Sequence, residues 1–116
     1  MATLLPFLLE EDGKLELNSE ILDKIKNSKN PRFILSYGDT RKGKSTTLNQ
    51  LIRDNKKSLK FMNSFPFKSF NSAYSITKGC DIYGPIKASE LLNRHDLNIN
   101  LDNDFDVFFV IKVYHL

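Results

Sequence analysis

Cysteine is almost missing from this chain: Cys80 is the only one among 116 residues. A single thiol can close neither an intrachain disulfide nor a cysteine-based zinc site, which fits a reducing compartment and a cytoplasmic location. Charge of one sign is never concentrated. The 17 lysines and arginines are scattered, no run of five like charges occurs, and the formal net charge is only +3. A nucleic-acid binder would be expected to carry a basic stripe, so no nucleic-acid partner is expected. Long apolar runs are also lacking. Leu4 to Leu9 is broken by Pro6, has no basic leader and runs into Glu10, Glu11 and Asp12. It reads as neither a signal peptide nor a membrane segment, which needs roughly 20 apolar residues. No internal repeat is visible.

What is present is enough apolar material for a core. Hydrophobic residues make up 41% of the chain, nine of them Phe, which argues against wholesale disorder. Leu4 to Leu9 suits a short buried or edge strand. Asp12-Gly13 gives a hairpin-type turn, and Leu15 and Leu17 alternate with polar neighbours as a return strand does. Asn18 is placed to cap a helix whose apolar face is Ile21, Leu22 and Ile25, and the polar cluster from Asn27 to Pro31 ends it. Phe33-Ile34-Leu35 is a continuous apolar run of the kind found in strands buried on both faces. Leu48, Leu51 and Ile52 mark a second helix beginning at Lys44, with an exit at Asp54-Asn55-Lys56-Lys57. Residues 60–85 mix aromatics with Ser, Asn, Gly and Pro without a sustained period, and are read as a long loop region containing short strands. One or two helical turns are expected over Ala88 to Arg94, a polar turn over Asn98 to Asp104, and a second strongly apolar strand over 105–113. The order strand, loop, helix, loop, strand predicts an α/β domain with a mostly parallel sheet and flanking helices.

Between the first apolar strand and its helix, Gly38-Asp39-Thr40-Arg41-Lys42-Gly43-Lys44-Ser45 matches G-x-x-x-x-G-K-[S/T] at every fixed position. Phosphate binding explains the spacing. Gly38 and Gly43 allow turns that a side chain would forbid, so that successive N–H groups face phosphate oxygens beside a helix N-terminus. In this P-loop reading Lys44 reaches the β- and γ-phosphates and the Ser45 hydroxyl is a ligand of Mg²⁺. The nucleotide-binding run is taken as Gly38, Asp39, Thr40, Arg41, Lys42, Gly43, Lys44, Ser45 and Thr46. The loop alone leaves two uses open for Arg41: a solvated partner of Lys42, or an arginine finger supplied in cis.

The stretch S-Y-G-D-T-R-K-G-K-S-T-T-L-N-Q-L resembles the P-loop segment of the guanylate-binding protein and atlastin family of large GTPases. Ser75-Ile76-Thr77-Lys78-Gly79 resembles that family's S-x-T-K-G switch I, at a comparable distance from the loop. The likeness covers most of residues 4–84 and again 105–110. It implies a P-loop NTPase G domain, in part, that binds and hydrolyses GTP with Mg²⁺. It makes Arg41 the internal arginine finger, Lys44 the phosphate lysine and Ser75 a residue orienting the attacking water. Ser45 and Thr77 become the Mg²⁺ hydroxyls, and Thr77, Lys78 and Gly79 the switch I segment. It also implies a G-domain homodimer. An ATP-using kinase would not share the switch-like segment.

The family follows its second core strand with D-x-x-G, whose Asp holds Mg²⁺ through water. Here the strand is followed by Ile111, Lys112, Val113, Tyr114, His115 and Leu116. Asp104 and Asp106 precede the strand, at the end opposite the phosphates, and the family's base-reading segment is absent. Residues 1–116 are therefore expected to be the N-terminal portion of a G domain, truncated after the strand at 105–113. The alternative to a working GTPase is a catalytically incompetent fragment or regulator that binds nucleotide weakly or not at all. Cys80, His95 and His115 are read as packing or surface residues.

Overall fold

The computed structural model describes residues 2–39, 44–54 and 80–114. Two short strands open the chain, β1 (Thr3–Pro6) and β2 (Leu8–Glu11), followed by β3 (Lys14–Leu17). β2 and β3 form a two-stranded antiparallel hairpin. Its turn residues Asp12 and Gly13 both have positive φ, 53° and 77°, the twist-matched conformation that Asp-Gly adopts at low cost.

Helix α1 (Ser19–Lys26) starts where Asn18 ends β3. The Asn18 side-chain oxygen accepts from the Glu20 N–H at 3.1 Å, while its amide donates to the Pro6 carbonyl at 2.8 Å. One buried side chain therefore caps the helix and fastens it to β1. At the other end the Ser28 hydroxyl donates to the Lys24 carbonyl, and Asn30 takes a φ of 45° before Pro31.

β4 (Arg32–Asp39) leads to α2 (Lys44–Ile52), and the described residues resume at Cys80 with β5 (Cys80–Lys87), α3 (Ala88–Arg94) and β6 (Asp106–Tyr114). The main sheet has the order β1-β5-β6-β4. β4 and β6 are parallel, from Arg32 beside Val107 to Asp39 beside Tyr114. β5 is antiparallel to β6, and β1 antiparallel to β5. The α/β class expected from the sequence is observed, but the sheet is mixed rather than mostly parallel. The reason lies in β5, which falls partly inside the stretch read as loop. Its interior Gly84-Pro85 looks like a turn, yet it sits at a register irregularity between Tyr83 and Ile86 while the strand continues on both sides.

Helices cover both faces. On one, Ile21 of α1 packs with Ile82, Phe108 and Val110. On the other, Leu48 and Ile52 of α2 and Ala88 of α3 pack with Ile86, Val107, Phe109 and Ile111. Both Phe108 and Phe109 are fully buried, one on each face, which is what a central strand with a continuous apolar run requires. Gly84 fits against this strand because it has no side chain: a Cβ there would lie 2.7 Å from Phe108 Cδ1 and 2.9 Å from the Val107 carbonyl oxygen.

β4 departs from its expected burial on both faces. Phe33, Ile34 and Leu35 are 49%, 39% and 57% exposed, because β4 is an outer strand of the sheet among the described residues. An apolar run specifies burial only if both neighbouring strands are present. Phe33 is held by stacking on Phe108, with ring centroids 5.5 Å apart. Likewise Leu51, grouped with Leu48 and Ile52 by its spacing, is 41% exposed while the other two are buried.

Candidate phosphate site

β4 ends at Asp39 and α2 begins at Lys44, so four positions, 40–43, join a strand to a helix. The glycine-bracketed run spans that junction. Gly38 and Asp39 close the strand, and Lys44, Ser45 and Thr46 form the first turn of α2. Thr40, Arg41, Lys42 and Gly43 lie outside the described residues, as do Ser75, Thr77, Lys78, Gly79 and His115.

The junction has a defined position relative to the sheet. Because β4 and β6 are parallel, it lies at the shared carboxyl end of both, where Gly38 stands beside Val113. Ligands of open α/β sheets bind at this end, outside the strands. β5 runs the opposite way, and its first residue, Cys80, pairs with Lys112, which pairs in turn with Tyr37. Cys80 thus lies at the same end of the sheet. Asp106 is at the other end, where it and Lys29 exchange two backbone-anchored hydrogen bonds of 2.9 Å each. Asp104 is also spoken for, by the Ser89 hydroxyl and N–H.

α2 is anchored at its far end. Arg94 Nη1 donates to the Ile52 carbonyl at 2.8 Å, and His95 Nε2 lies 2.6 Å from the Leu51 carbonyl. These carbonyls belong to the last turn of α2, which has no later helical N–H to satisfy them. Of the two roles left open for His95 by the sequence, structural or surface, this contact fits the structural one.

Mg²⁺ takes oxygen ligands and is commonly held by one or two protein groups together with substrate phosphates, so it needs no preformed cage. Among the described residues no group of three or more His, Cys, Asp or Glu is arranged to hold a metal. The hydroxyl-plus-phosphate mode expected for Ser45 and Thr77 is compatible with this. Sequence reasoning missed one carboxylate at this end, Asp81. It is half-buried, and desolvation raises its pKa. Its signal was present: a lone acid within Cys80-Asp81-Ile82-Tyr83, an otherwise uncharged run.

Among the described residues no helix is long and apolar enough to cross a membrane. No protein-family model matches the chain, and no curated protein matches it.

Proposed function

We propose that the chain is the phosphate-binding part of a G domain that binds and hydrolyses GTP with Mg²⁺. The observation that carries this reading is the junction itself: a complete G-x-x-x-x-G-K-S run spans the passage from a strand ending at Asp39 to a helix starting at Lys44. A chance match would have no reason to fall at the carboxyl end of a parallel strand pair, where backbone N–H groups and a helix N-terminus favour phosphate. The position of Cys80, the residue that follows Ser75 to Gly79 in sequence, at the same end of the sheet supports a switch role for that segment. In this reading Lys44 neutralises the β- and γ-phosphates, Ser45 and Thr77 supply hydroxyls to Mg²⁺, Arg41 stabilises charge developing during transfer, and Ser75 orients water. Guanine preference follows from the family resemblance alone.

A second reading, a nucleotide-binding regulator with little turnover, is favoured by one feature. Asp104 and Asp106, the carboxylates that flank the start of β6, lie at the end of the strand opposite the junction. Phosphoryl transfer depends on charge neutralisation by a well-placed ion, so binding would survive this placement better than catalysis.

Titration of the full chain with fluorescent GTP, GDP and ATP analogues, with and without Mg²⁺, tests the binding claim. Guanine nucleotides are expected to bind, with Lys44→Ala weakening them by roughly 10–100-fold through loss of a charge-assisted phosphate contact. Uptake unaltered by Lys44→Ala would overturn the assignment. Single-turnover GTP hydrolysis then separates the two readings.

A further inference from the structure

We propose that residues 97–101, with the apolar pocket they wall, bind an extended peptide whose alternating apolar residues are bracketed by basic ones. The proposal is independent of the phosphate-loop reading.

Spacing is the first argument. The segment after α3 reads as a polar turn from Asn98 onward, yet Leu97, Ile99 and Leu101 all line one pocket of about 520 Å³. Asn98 and Asn100 between them do not line it. A period of two with one face turned inward is that of an extended chain. Ile34, Val107 and Phe109 of the sheet line the same pocket, beside apolar side chains of α2 and α3.

The main chain is the second argument. The Leu97 N–H donates to the Leu92 carbonyl at 2.8 Å, and among the described residues the main chain of 98–103 makes no hydrogen bond. Extended main chain without a ladder partner, next to an apolar pocket, suits a peptide that pairs as a strand. Its main chain bonds the edge while alternate side chains fill the pocket. Leu97 and Ile99 are 50% and 58% exposed. A small molecule inside the pocket would leave this apolar rim in water, whereas a paired chain would cover it.

Charge identifies the partner. Residues 88–104 carry Glu90, Asp96, Asp102 and Asp104 against Arg94 alone, in a chain of net charge +3. Asp96 and Asp102 bracket the apolar triplet, and both are exposed. A second copy pairing antiparallel about Ile99 would set Asp96 of each copy opposite Asp102 of the other. Like charges directly opposite destabilise a ladder. A partner with Lys or Arg at those two positions turns the same geometry into two attractive pairs.

Fluorescence anisotropy of the full chain with a labelled, end-blocked peptide, Lys-Val-Thr-Val-Thr-Val-Lys, tests this. Saturable binding is expected, and exchanging both lysines for glutamate should weaken it by about tenfold or more. N-methylation of alternate peptide residues, in one of the two alternating sets, should cost about as much by removing ladder donors. These three peptides probe the unaltered protein, so no variant has to fold. Ile99→Lys should also lose about tenfold in affinity while keeping a urea midpoint near wild type, because that side chain is already more than half exposed. Equal binding of the glutamate peptide, tolerance of N-methylation in both sets, or full binding by Ile99→Lys overturns the proposal. So does absence of binding by the lysine peptide, whether sedimentation then shows Ile99-dependent self-association or the pocket takes up a neutral naphthylamine dye instead.

Discussion

Asp104 holds Ser89 twice: one carboxylate oxygen accepts from the Ser89 hydroxyl at 2.6 Å and the other from its N–H at 3.0 Å. The N-cap position of α3, Lys87, makes no side-chain cap bond. The helix is thus capped by a residue from the turn fifteen positions downstream, in the segment that returns to β6. These bonds hold the Asp104 carboxyl below its usual range, with the Ser89 hydroxyl the largest cause. A group with a depressed folded pKa stabilises the fold above its unfolded pKa, near 3.9, and loses that effect as pH falls through the folded value. Asp104→Asn should lower the urea midpoint at neutral pH, and the difference from wild type should close in acid below the ordinary carboxylate range.

Asp81 has the opposite sign. Its folded pKa is raised by burial, so its contribution is most favourable below the unfolded value and is lost as pH rises through the folded one. Asp81→Asn should raise the urea midpoint at neutral pH, with the gain vanishing in acid. The gain should be below about 1 kcal/mol, since the group retains partial contact with water. A variant less stable than wild type at neutral pH would mean that the carboxylate has a compensating partner.

Phe108 is fully buried between α1 and the stacked ring of Phe33. Phe108→Ala should destabilise the fold by about 3–5 kcal/mol, a large part of a small domain's stability. Phe33→Ala should cost far less, because half of that ring is already exposed. Chemical denaturation of the two variants compares them directly.

At Gly84 even a methyl group is expected to be harmful. The added Cβ would meet the Phe108 ring and the Val107 carbonyl at under 3 Å. Overpacking of this kind typically costs about 1–3 kcal/mol, so Gly84→Ala should unfold at lower urea although alanine is otherwise a mild substitution.

Arg41→Ala tests the assigned chemistry. If Arg41 acts as an internal finger, single-turnover hydrolysis should fall by about 10³–10⁵-fold, with a far smaller change in nucleotide affinity. Equal losses in binding and turnover would instead make Arg41 a general phosphate contact.

The features legible in the sequence were those encoded over a few residues. Asp12-Gly13 specifies its turn, Asn18 its helix cap, and the run at 105–113 a strongly apolar strand, found at Asp106–Tyr114. Sheet order was less accessible because it depends on pairing between distant segments. Cys80 to Lys87 joins β1 to β6, yet its Gly84-Pro85 interior has the composition of a turn. The apolar run in β4 was misjudged for a related reason: residue type records a preference for burial, while neighbours determine whether it is met. The candidate phosphate-loop residues were proposed from type and spacing, and the run they form spans a strand-to-helix junction between Asp39 and Lys44. Asp81 offered only a faint signal, a lone acid in an otherwise uncharged run, and only the pairing register, with Ile111 and Ser36 in one row, shows which end of the sheet it occupies. Arg94 and His95 were equally inaccessible, since their partners are main-chain carbonyls 42 and 44 positions away.

The outer position of β4 has a consequence for handling this molecule. Among the described residues its side away from β6 carries a row of backbone donors and acceptors flanked by Phe33, Ile34 and Leu35. Such a margin invites strand addition, and the probability of addition rises with protein concentration while the internal packing is unaffected. Solubility, more than melting temperature, is then the property that sets how concentrated a sample can become.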